Sequence, residues 1–282
     1  MAKRPTQLSH AAVVRALYQS MLGREPDSEG GQSKIDALID GSLNLTEIIA
    51  SILHSDEFAE VNGTGDTGAR LTNDQTQFGE FEILLKLWIN RFANHRIVVD
   101  VGARGKARSN SYDLMKSFGW RGYLFEANPR LIESIRSEFH GLDVQIIPCA
   151  VSDYTGEATF HLGVNDDVSS LNAEAAAGWG PLAGAVTVPV ERLGNILRDY
   201  GVPQDFDLLS IDIEGEDVKV LNDVVVAFGY RPRWIIIEAS YDFATTSLDD
   251  LPADDLVRQT YRIVGQTSAN LILGLIEENP ID

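Results

Sequence analysis

Acidic residues end four of five consecutive apolar runs in the second part of the sequence. The runs RIVVDV, RGYLFEA, FDLLSIDI and RWIIIEA carry Asp100, Glu126, Asp212 and Glu238 at or near their ends. The remaining run, DVQIIPCA, ends at Ala150. A carboxylate at the end of an apolar strand is costly to bury. The pattern therefore indicates a site that uses these acids.

The segment VVDVGARGKARSNS begins like a nucleotide-binding turn but lacks the full glycine fingerprint of a dinucleotide site. A dinucleotide needs glycines so that the backbone can approach its pyrophosphate. Only Gly102 and Gly105 are present, and Asp100 would repel a nearby phosphate. A ligand without phosphate, but with an ammonium and a sulfonium group, would accept that carboxylate. S-adenosylmethionine is such a ligand.

The other strand ends can be assigned to parts of the same ligand. Glu126 is placed to accept hydrogen bonds from ribose hydroxyls, and the polar SNS segment at 109–111 can donate to the methionine carboxylate. Residues 150–153 would flank the adenine. The alternative is that Asp100 only caps the following turn and that Glu126 is solvated.

The elements that must position these residues are strands that alternate with helices. Nearly continuous apolar runs of this kind predict a parallel sheet covered on both faces, with ligands at the carboxyl ends of the strands. The last two runs, YRIVG and NLILGLI, are joined by QTSA, which is too short for a helical crossover. The sequence thus predicts a doubly wound α/β sheet of about seven strands that ends in an antiparallel pair.

The segment from His161 to Val186 has no regular period and is rich in Gly and Ala, which predicts a long irregular loop. Its position after the adenine-side strand suggests that it folds over the acceptor site. Ser169, Ser170 and Trp179 are the expected contacts, with Trp179 stacked on a sugar face or, equally, plugging the core.

The first part of the chain predicts a helical module over residues 1–62, followed by a linker over 63–78 and a catalytic domain over 79–282. The linker region is rich in Gly, Thr, Asn and Asp and lacks an apolar period. In the module, Ser9 is a candidate cap for a first helix that Gly23 ends, and Thr46 is a candidate cap for the third helix.

Composition narrows the class of partner. The 282 residues are 44% hydrophobic and 23% charged, as in ordinary globular proteins, and the net charge is −19. That charge disfavours nucleic acids and anionic membrane surfaces as partners. No run of apolar residues is long enough to span a bilayer, no signal-peptide cleavage site is evident, and Cys149 is expected to be a buried hydrophobe. These features predict a cytoplasmic location.

Several motifs together carry a family resemblance. The stretches VVDVGA, GWRGYLFEANP, CAVSDYTGEATF and LLSIDIEGEDVKVL stand in order between residues 98 and 221. With them, the region from about 79 to 282 resembles the FkbM family of S-adenosylmethionine-dependent methyltransferases, and GWRGYLFEANP with SIDIEGED is the specific combination. Two departures from the family pattern are the basic loop, with Arg104, Lys106 and Arg108, and Gly194, where an aspartate is usual.

The resemblance implies a class I methyltransferase fold, which is Rossmann-like, joined here to a small all-α N-terminal domain. It also implies that Asp100, Gly102 and Glu126 contact the cofactor and that Asp212 and Glu214 face the transferred methyl group. The full set of expected cofactor contacts is Asp100, Gly102, Ala103, Arg104, Ser109, Asn110, Glu126, Ala127, Asn128, Ala150, Val151 and Ser152.

The expected reaction is transfer of a methyl group to a hydroxyl oxygen. Asp212 and Glu214 are two residues apart on a predicted strand and would face the same side. Asp212 is the expected general base, and Glu214 and Glu238 would hold acceptor hydroxyls or share the proton. Mg²⁺ or Ca²⁺ bound by these three carboxylates is an open alternative, and so is a role for one of the pair, Glu214 above all, as a helix cap.

The most favoured acceptor is a carbohydrate or glycolipid hydroxyl. Two alternatives remain open: a polyketide, another small molecule or a protein side chain as acceptor, and a non-catalytic or NAD-binding domain of the same fold. The N-terminal part resembles a small helical domain of unknown function found beside glycan-modifying proteins. It is expected to serve association or acceptor recognition.

Overall fold

The protein forms two compact units, residues 1–73 and 74–282, in a computed structural model. Most of the predicted linker and the predicted contact Trp179 lie outside the described residues, whereas residues 74–78 belong to the second unit. The structure describes residues 9–28, 30–53, 55, 57–58, 74–164, 169–178, 180–239 and 247–276.

The first unit contains helices α1 (His10–Leu22), α2 (Gly30–Asp40) and α3 (Leu45–Leu53). The Ser9 side chain accepts a hydrogen bond from the backbone N–H of Ala12 at the start of α1, which confirms Ser9 as its cap. Gly23 ends this helix in the left-handed conformation that glycine adopts without strain.

The predicted cap of α3 was wrong. The helix begins at Leu45, and the residue before it, Asn44, forms a reciprocal capping box with Glu47. The Asn44 side chain accepts from the Glu47 N–H at 3.0 Å, and the Asn44 N–H donates to the Glu47 carboxylate at 2.7 Å. Thr46 therefore lies inside the helix. Asn44, two residues earlier, is the cap, because its side chain accepts a hydrogen bond from a free N–H group of the first turn.

The second unit opens with two short helices, α4 (Glu80–Lys86) and α5 (Ile89–Phe92). The break lies at Trp88, which has a left-handed backbone with φ of 59°.

The main sheet has seven strands in the order β3-β2-β1-β7-β8-β10-β9. All neighbours are parallel except β10, which is antiparallel to both β8 and β9. This arrangement confirms the predicted doubly wound sheet with an antiparallel end. The strands are β1 (Ile97–Val101), β2 (Arg121–Phe125), β3 (Val144–Ile147), β7 (Leu208–Ile211), β8 (Trp234–Glu238), β9 (Tyr261–Gln266) and β10 (Asn270–Leu275).

Helices cover the sheet, and the hydrophobic core lies between the sheet and these helices. The helices of this unit beyond α5 are α6 (Tyr112–Phe118), α7 (Ile132–Glu138), α8 (Ala173–Ala177), α9 (Leu193–Asp199), α10 (Asp217–Asn222), which continues as a π-helical turn over Asp223–Ala227, and α11 (Asp255–Thr260). Alternate residues of the central strands pack against Leu197 of α9, Leu221 of α10 and Val257 of α11. No helix in the described part of the chain is long and apolar enough to cross a membrane.

A second, three-stranded sheet was not predicted. Its strands β4 (Ala150–Ser152), β5 (Gly156–Gly163) and β6 (Leu182–Arg192) stand in the order β4-β6-β5. Ala150 therefore does not end β3, which stops at Ile147. The predicted loop over 161–186 is also shorter than expected, because residues 161–163 and 182–186 are paired strands. The LAGAV stretch of β6 is largely exposed and has no apolar period, so only its pairing with β5 reveals it as a strand.

The departure at Gly194 has a packing cause. A Cβ atom at this position in α9 would lie 2.1 Å from the ring of Phe228, whose other contacts include the Arg192 guanidinium at 4.6 Å from the ring centre. Any side chain would displace this ring, so glycine at this position serves close packing.

Candidate active site

The carboxyl ends of β1, β2, β7 and β8 meet at one edge of the main sheet. There they border two adjoining cavities, which we call the Glu126 cavity and the Asp100 cleft. The Asp100 cleft has a volume of about 420 Å³, within the usual range for small-molecule sites. Both cavities are lined by Gly102, Arg104, Asp212 and Glu214.

Gly102 allows the loops after β1 and β7 to touch. It has a φ of 91°, and a Cβ atom there would lie 1.9 Å from the carbonyl oxygen of Asp212. The backbone N–H groups of Gly102 and Ala103 both donate to the carbonyl of Phe125 at 2.9 Å. The turn is therefore tied to the end of β2, and these two N–H groups are already occupied by protein.

Asp100 is buried beneath the Asp100 cleft and also contacts the polar SNS segment. Its Oδ2 accepts the Ser111 hydroxyl at 2.5 Å, and Ser111 Oγ lies 3.1 Å from Ser109 Oγ. Burial raises the pKa of Asp100 to about 6, although hydrogen bonds from Ser111 and Ser210 oppose the rise. Asp100 thus both orders the turn before α6 and lines the cleft, together with Ser109 and Asn110.

Glu126 is 7% exposed, so it is not the solvated residue of the alternative interpretation. Its Oε1 accepts the Asn128 N–H at 2.6 Å. Burial raises the pKa of Glu126 to about 7, opposed by backbone N–H groups of Asn128 and Ala127 and then by the charge of Arg104. The walls around it in the Glu126 cavity are largely apolar and include Phe125, Ala127, Ala150, Val151, Leu171 and Ile213.

Two of the expected cofactor contacts, Ser152 and Asn128, have hydrogen-bond partners within the protein. Ser152 is buried and donates its hydroxyl to Glu216 Oε2 at 2.6 Å. Asn128 accepts the Arg130 N–H at 3.1 Å through Oδ1, which shapes the turn after β2. Ser152 thus supports Glu216, and the Asn128 N–H donates to Glu126. Both of these acids line the Glu126 cavity.

The acids after β7 lie on a turn and not on a strand, so that part of the prediction was wrong. β7 ends at Ile211, and Glu214 has a left-handed backbone with φ of 56°. The Ser170 hydroxyl donates to the Glu214 carbonyl at 2.8 Å and thereby holds this strained residue. The N–H groups of Ile213 and Gly215 both donate to the Asp217 carboxylate at 2.9 Å.

The carboxylates at this edge raise one another's pKa values. Burial raises the pKa of Asp212 well above its usual range, and the charges of Glu238 and then Asp217 add to the effect. Burial, followed by the charge of Asp212, raises the pKa of Glu214 to about 7. Such a group exchanges protons near neutral pH, which is what acid–base chemistry requires.

The tightest group of acids differs from the predicted trio. One oxygen each from Asp212, Asp217 and Glu238 lie within 4.8 Å of one another, so Asp217 takes the position expected for Glu214. The sequence places Asp217 at the start of a helix, which hides its second role as a neighbour of Asp212. Oxygen ligands in this arrangement suit a hard cation or a shared proton equally.

The sequence of this domain also matches a known family. The family described as Methyltransferase FkbM domain matches residues 100–262, which span the strand ends just described from Asp100 to Glu238. The chain belongs to the FkbM methyltransferase family. A second family, described as a domain of unknown function (DUF4214), matches residues 2–62, the region of α1 to α3. No curated protein matches the chain closely enough to be a relative.

The basic loop after β1 carries three cations, Arg104, Lys106 and Arg108, which have different surroundings. Lys106 is exposed, with its ammonium 5.0 Å from the centre of the Tyr112 ring, and its N–H donates to Glu138 at 2.6 Å. Arg104 and Arg108 line the Asp100 cleft. The loop thus places positive charge beside the acids of the cleft.

Two of the contacts predicted in the segment before β6 lie within its described residues, and they have different surroundings. Ser169 lines the Glu126 cavity, whereas Ser170 is fully buried and supports Glu214. Cys149 also borders this cavity, but burial raises its pKa to about 12, which disfavours the thiolate form that a nucleophile needs.

Sequence reasoning missed the wall of the Asp100 cleft that β10 contributes. Asn270 begins β10 and is paired with Glu238 of β8, and both line the cleft. The signal was available, because the first residue of an antiparallel strand lies at the same edge as the last residues of its parallel neighbours. Glu80, which contacts Asn270, carried no such signal.

Proposed function

We propose that this methyltransferase is an S-adenosylmethionine-dependent O-methyltransferase whose acceptor is a hydroxyl of a carbohydrate or glycolipid. The observation that supports this function is the group of carboxylates with raised pKa values around Asp212, set beside two joined cavities in a domain of the FkbM family.

The residues present fit S-adenosylmethionine. The apolar walls of the Glu126 cavity suit adenine, the Glu126 carboxylate suits ribose hydroxyls, and Asp100 and Asp212 suit the positive charges of the methionine end. When bound, this cofactor supplies an activated methyl group on a positively charged sulfur. A dinucleotide fits less well, because the N–H groups of Gly102 and Ala103 are bonded to Phe125 and cannot bind a pyrophosphate.

In the proposed reaction Asp212 takes the proton from the acceptor hydroxyl, and Glu238 and Asp217 share that proton. The raised pKa of Asp212 makes its carboxylate a stronger base than an exposed aspartate. Glu214, also at the cleft, is placed to accept a second hydroxyl. Because the charges of Glu238 and Asp217 raise the pKa of Asp212 further, these acids titrate together.

The carboxylates also favour a particular class of acceptor. Asp212, Glu214 and Glu238 all line the Asp100 cleft, and each accepts hydrogen bonds but donates none when ionised. A polyol offers several hydroxyl groups at neighbouring positions, and each can donate a hydrogen bond to an ionised acid of this group. This is the physical reason for preferring a sugar.

We also propose that residues 1–62 are a helical module joined by a linker over 63–78 to the catalytic domain at 79–282. The candidate cofactor and catalytic residues all lie in the second unit. The module would then serve association or acceptor recognition and not the chemistry itself.

Ligand-induced stabilisation tests the cofactor. S-adenosylhomocysteine should raise the melting temperature, because only a ligand of the native state does so, whereas NAD should not. The reverse result would overturn the proposal. The acceptor is tested by incubating the protein with S-adenosylmethionine labelled in its methyl group and a panel of sugars, lipopolysaccharide fragments and cell extracts. Label in an amine and not in a hydroxyl ether would refute O-methylation.

A further inference from the structure

Glu80, at the start of α4, is a fully buried carboxylate surrounded by neutral hydrogen-bond donors. Its Oε1 accepts the Thr267 hydroxyl at 2.9 Å and the Asn270 side-chain amide at 2.8 Å. Its Oε2 accepts the Phe78 N–H at 3.0 Å. Burying a charge among neutral partners is costly, and apolar residues could tie a helix to a strand at lower cost.

The contact with Asn270 connects Glu80 to the Asp100 cleft. Asn270 lines the cleft and is paired in register with Glu238 across β8 and β10. Side chains paired in this way lie on the same face of the sheet, about 5 Å apart at Cβ. The polar group that Glu80 holds is therefore a direct neighbour of Glu238.

The carboxylate of Glu80 fixes which way the Asn270 amide points. A carboxylate only accepts hydrogen bonds, so the amide must turn its NH₂ group toward Glu80 and its Oδ1 away from it. The backbone of Asn270 is fixed as well, because its N–H donates to Thr267 Oγ1 at 3.0 Å and its carbonyl accepts the Thr267 N–H at 2.9 Å. An asparagine without such a partner could present either end of its amide.

We propose that Glu80 is a positioning residue for methyl transfer: it holds the Asn270 amide in one orientation beside Glu238, and Asn270 and Glu238 together bind the acceptor hydroxyl. The inference rests on the proposed function, since it takes the Asp100 cleft as the acceptor site. The charge of Glu80 has a second effect, because it is one of those that raise the pKa of Asp212.

Two variants separate the effect of Glu80 on the orientation of the Asn270 amide from the effect of the Glu80 charge. Glu80→Gln keeps the size of the side chain but removes its charge. Glu80→Asp keeps the charge but withdraws it from Asn270 by one methylene. Glu82→Gln is the matched control, because Glu82 lies two residues further along α4, is exposed, and pairs with Lys86 at 2.5 Å.

The first measurement is proton exchange of the Asn270 side-chain amide by NMR in the full-length protein, which needs no ligand. We expect both Glu80 variants to speed this exchange by about tenfold or more and Glu82→Gln to leave it unchanged. Unchanged exchange in a folded Glu80→Asp protein would overturn the inference. If Glu80→Gln does not fold, Glu80→Asp alone decides the point.

The second measurement separates positioning from a merely structural tie between α4 and β10. The affinity ratio of S-adenosylmethionine to S-adenosylhomocysteine, measured by calorimetry against pH, reports the ionisation of the acids near the sulfur. We expect its midpoint to move to lower pH in Glu80→Gln and to stay in place in Glu80→Asp. With an acceptor in hand, both variants should lower kcat/KM for the acceptor by about tenfold or more, with KM for the cofactor within about twofold of wild type.

The outcomes distinguish a failure of the proposed function from a failure of the inference about Glu80. If the wild-type protein binds neither cofactor form, the proposed function fails, whereas the amide exchange still decides the orientation of Asn270. If the wild type binds both forms and Glu80→Gln matches it in midpoint and in kcat/KM, Glu80 is structural and the inference is wrong.

Discussion

Replacing Glu126 by Gln should weaken binding of S-adenosylhomocysteine and remove most of its pH dependence. The carboxylate is 7% exposed and stands in a largely apolar cavity, so water cannot compensate for a lost partner. Hydrogen bonds to a charged group contribute about 1.5–3 kcal/mol. The expected loss is therefore about 10- to 150-fold in Kd, because about 1.4 kcal/mol corresponds to tenfold.

The pH dependence follows from the raised pKa of Glu126, which is about 7. Two ribose hydroxyls donate best to the ionised carboxylate, so the ligand favours the state present above that pKa. The wild-type affinity should fall by up to about tenfold for each pH unit below 7 and level off above pH 8 or so. A glutamine cannot titrate, and the variant should be weak at every pH with a much flatter profile.

Calorimetric titration with S-adenosylhomocysteine between about pH 5.5 and 8.5 measures both effects. Its sulfur is uncharged, so the acids around Asp212 influence this ligand less than they influence S-adenosylmethionine. Glu133→Gln is the control, because Glu133 lies in α7, is 82% exposed, and pairs only with Arg136 at the surface within the described part of the chain. Wild-type affinity in Glu126→Gln, or an undiminished pH profile in that variant, would remove Glu126 from the cofactor site.

Three further predictions concern the acids and the N-terminal module. Asp212→Asn should lower kcat by about 10² to 10⁴-fold. The same variant should also raise the melting temperature at neutral pH. A buried acid with a raised pKa stabilises the fold only while it is protonated, and that contribution is lost as the pH rises through the folded-state pKa. Calorimetry should show the gain disappear near pH 3, below the ordinary aspartate pKa of about 3.9, and destabilisation at both pH values would contradict the assignment. Full activity in EDTA, combined with an inactive Asp212→Asn variant, supports a metal-free base, whereas loss in EDTA that Mg²⁺ or Ca²⁺ reverses supports a cation between Asp212, Asp217 and Glu238. A chain that begins at Asp74 retains the hydrogen bond from the Gln75 N–H to Asp113 and should bind S-adenosylhomocysteine with unchanged affinity; insolubility or lost binding would show that the two units share a core.

Local patterns predicted the architecture well. Apolar runs between helical stretches identified all seven strands of the main sheet, because buried parallel strands need apolar residues on both faces. The QTSA connection correctly indicated an antiparallel end. The small sheet escaped notice, because β6 begins in exposed Ala and Gly residues that carry no period.

The sequence likewise predicted some features of the candidate site and missed others. The rule that ligands bind at the carboxyl ends of parallel strands located Asp100, Glu126, Asp212 and Glu238 together, since each ends a run that the sequence marks clearly. The pairwise geometry was harder to predict. The left-handed backbone of Glu214 depends on a hydrogen bond from Ser170, which is 44 residues away along the chain.

The sequence by itself determined which residues could do chemistry and which edge of the sheet would hold them, because strand periodicity, glycine turns and helix caps act between near neighbours. Only the tertiary structure decided which acids lie close together and which neutral groups hydrogen-bond to them. Asp217 joins Asp212 and Glu238 because the turn after β7 folds back on itself. Glu80 reaches Asn270 across 190 residues because α4 packs against the hairpin that begins β10. Such contacts depend on how separate elements dock, and no periodic signal in one segment can encode its partner in another.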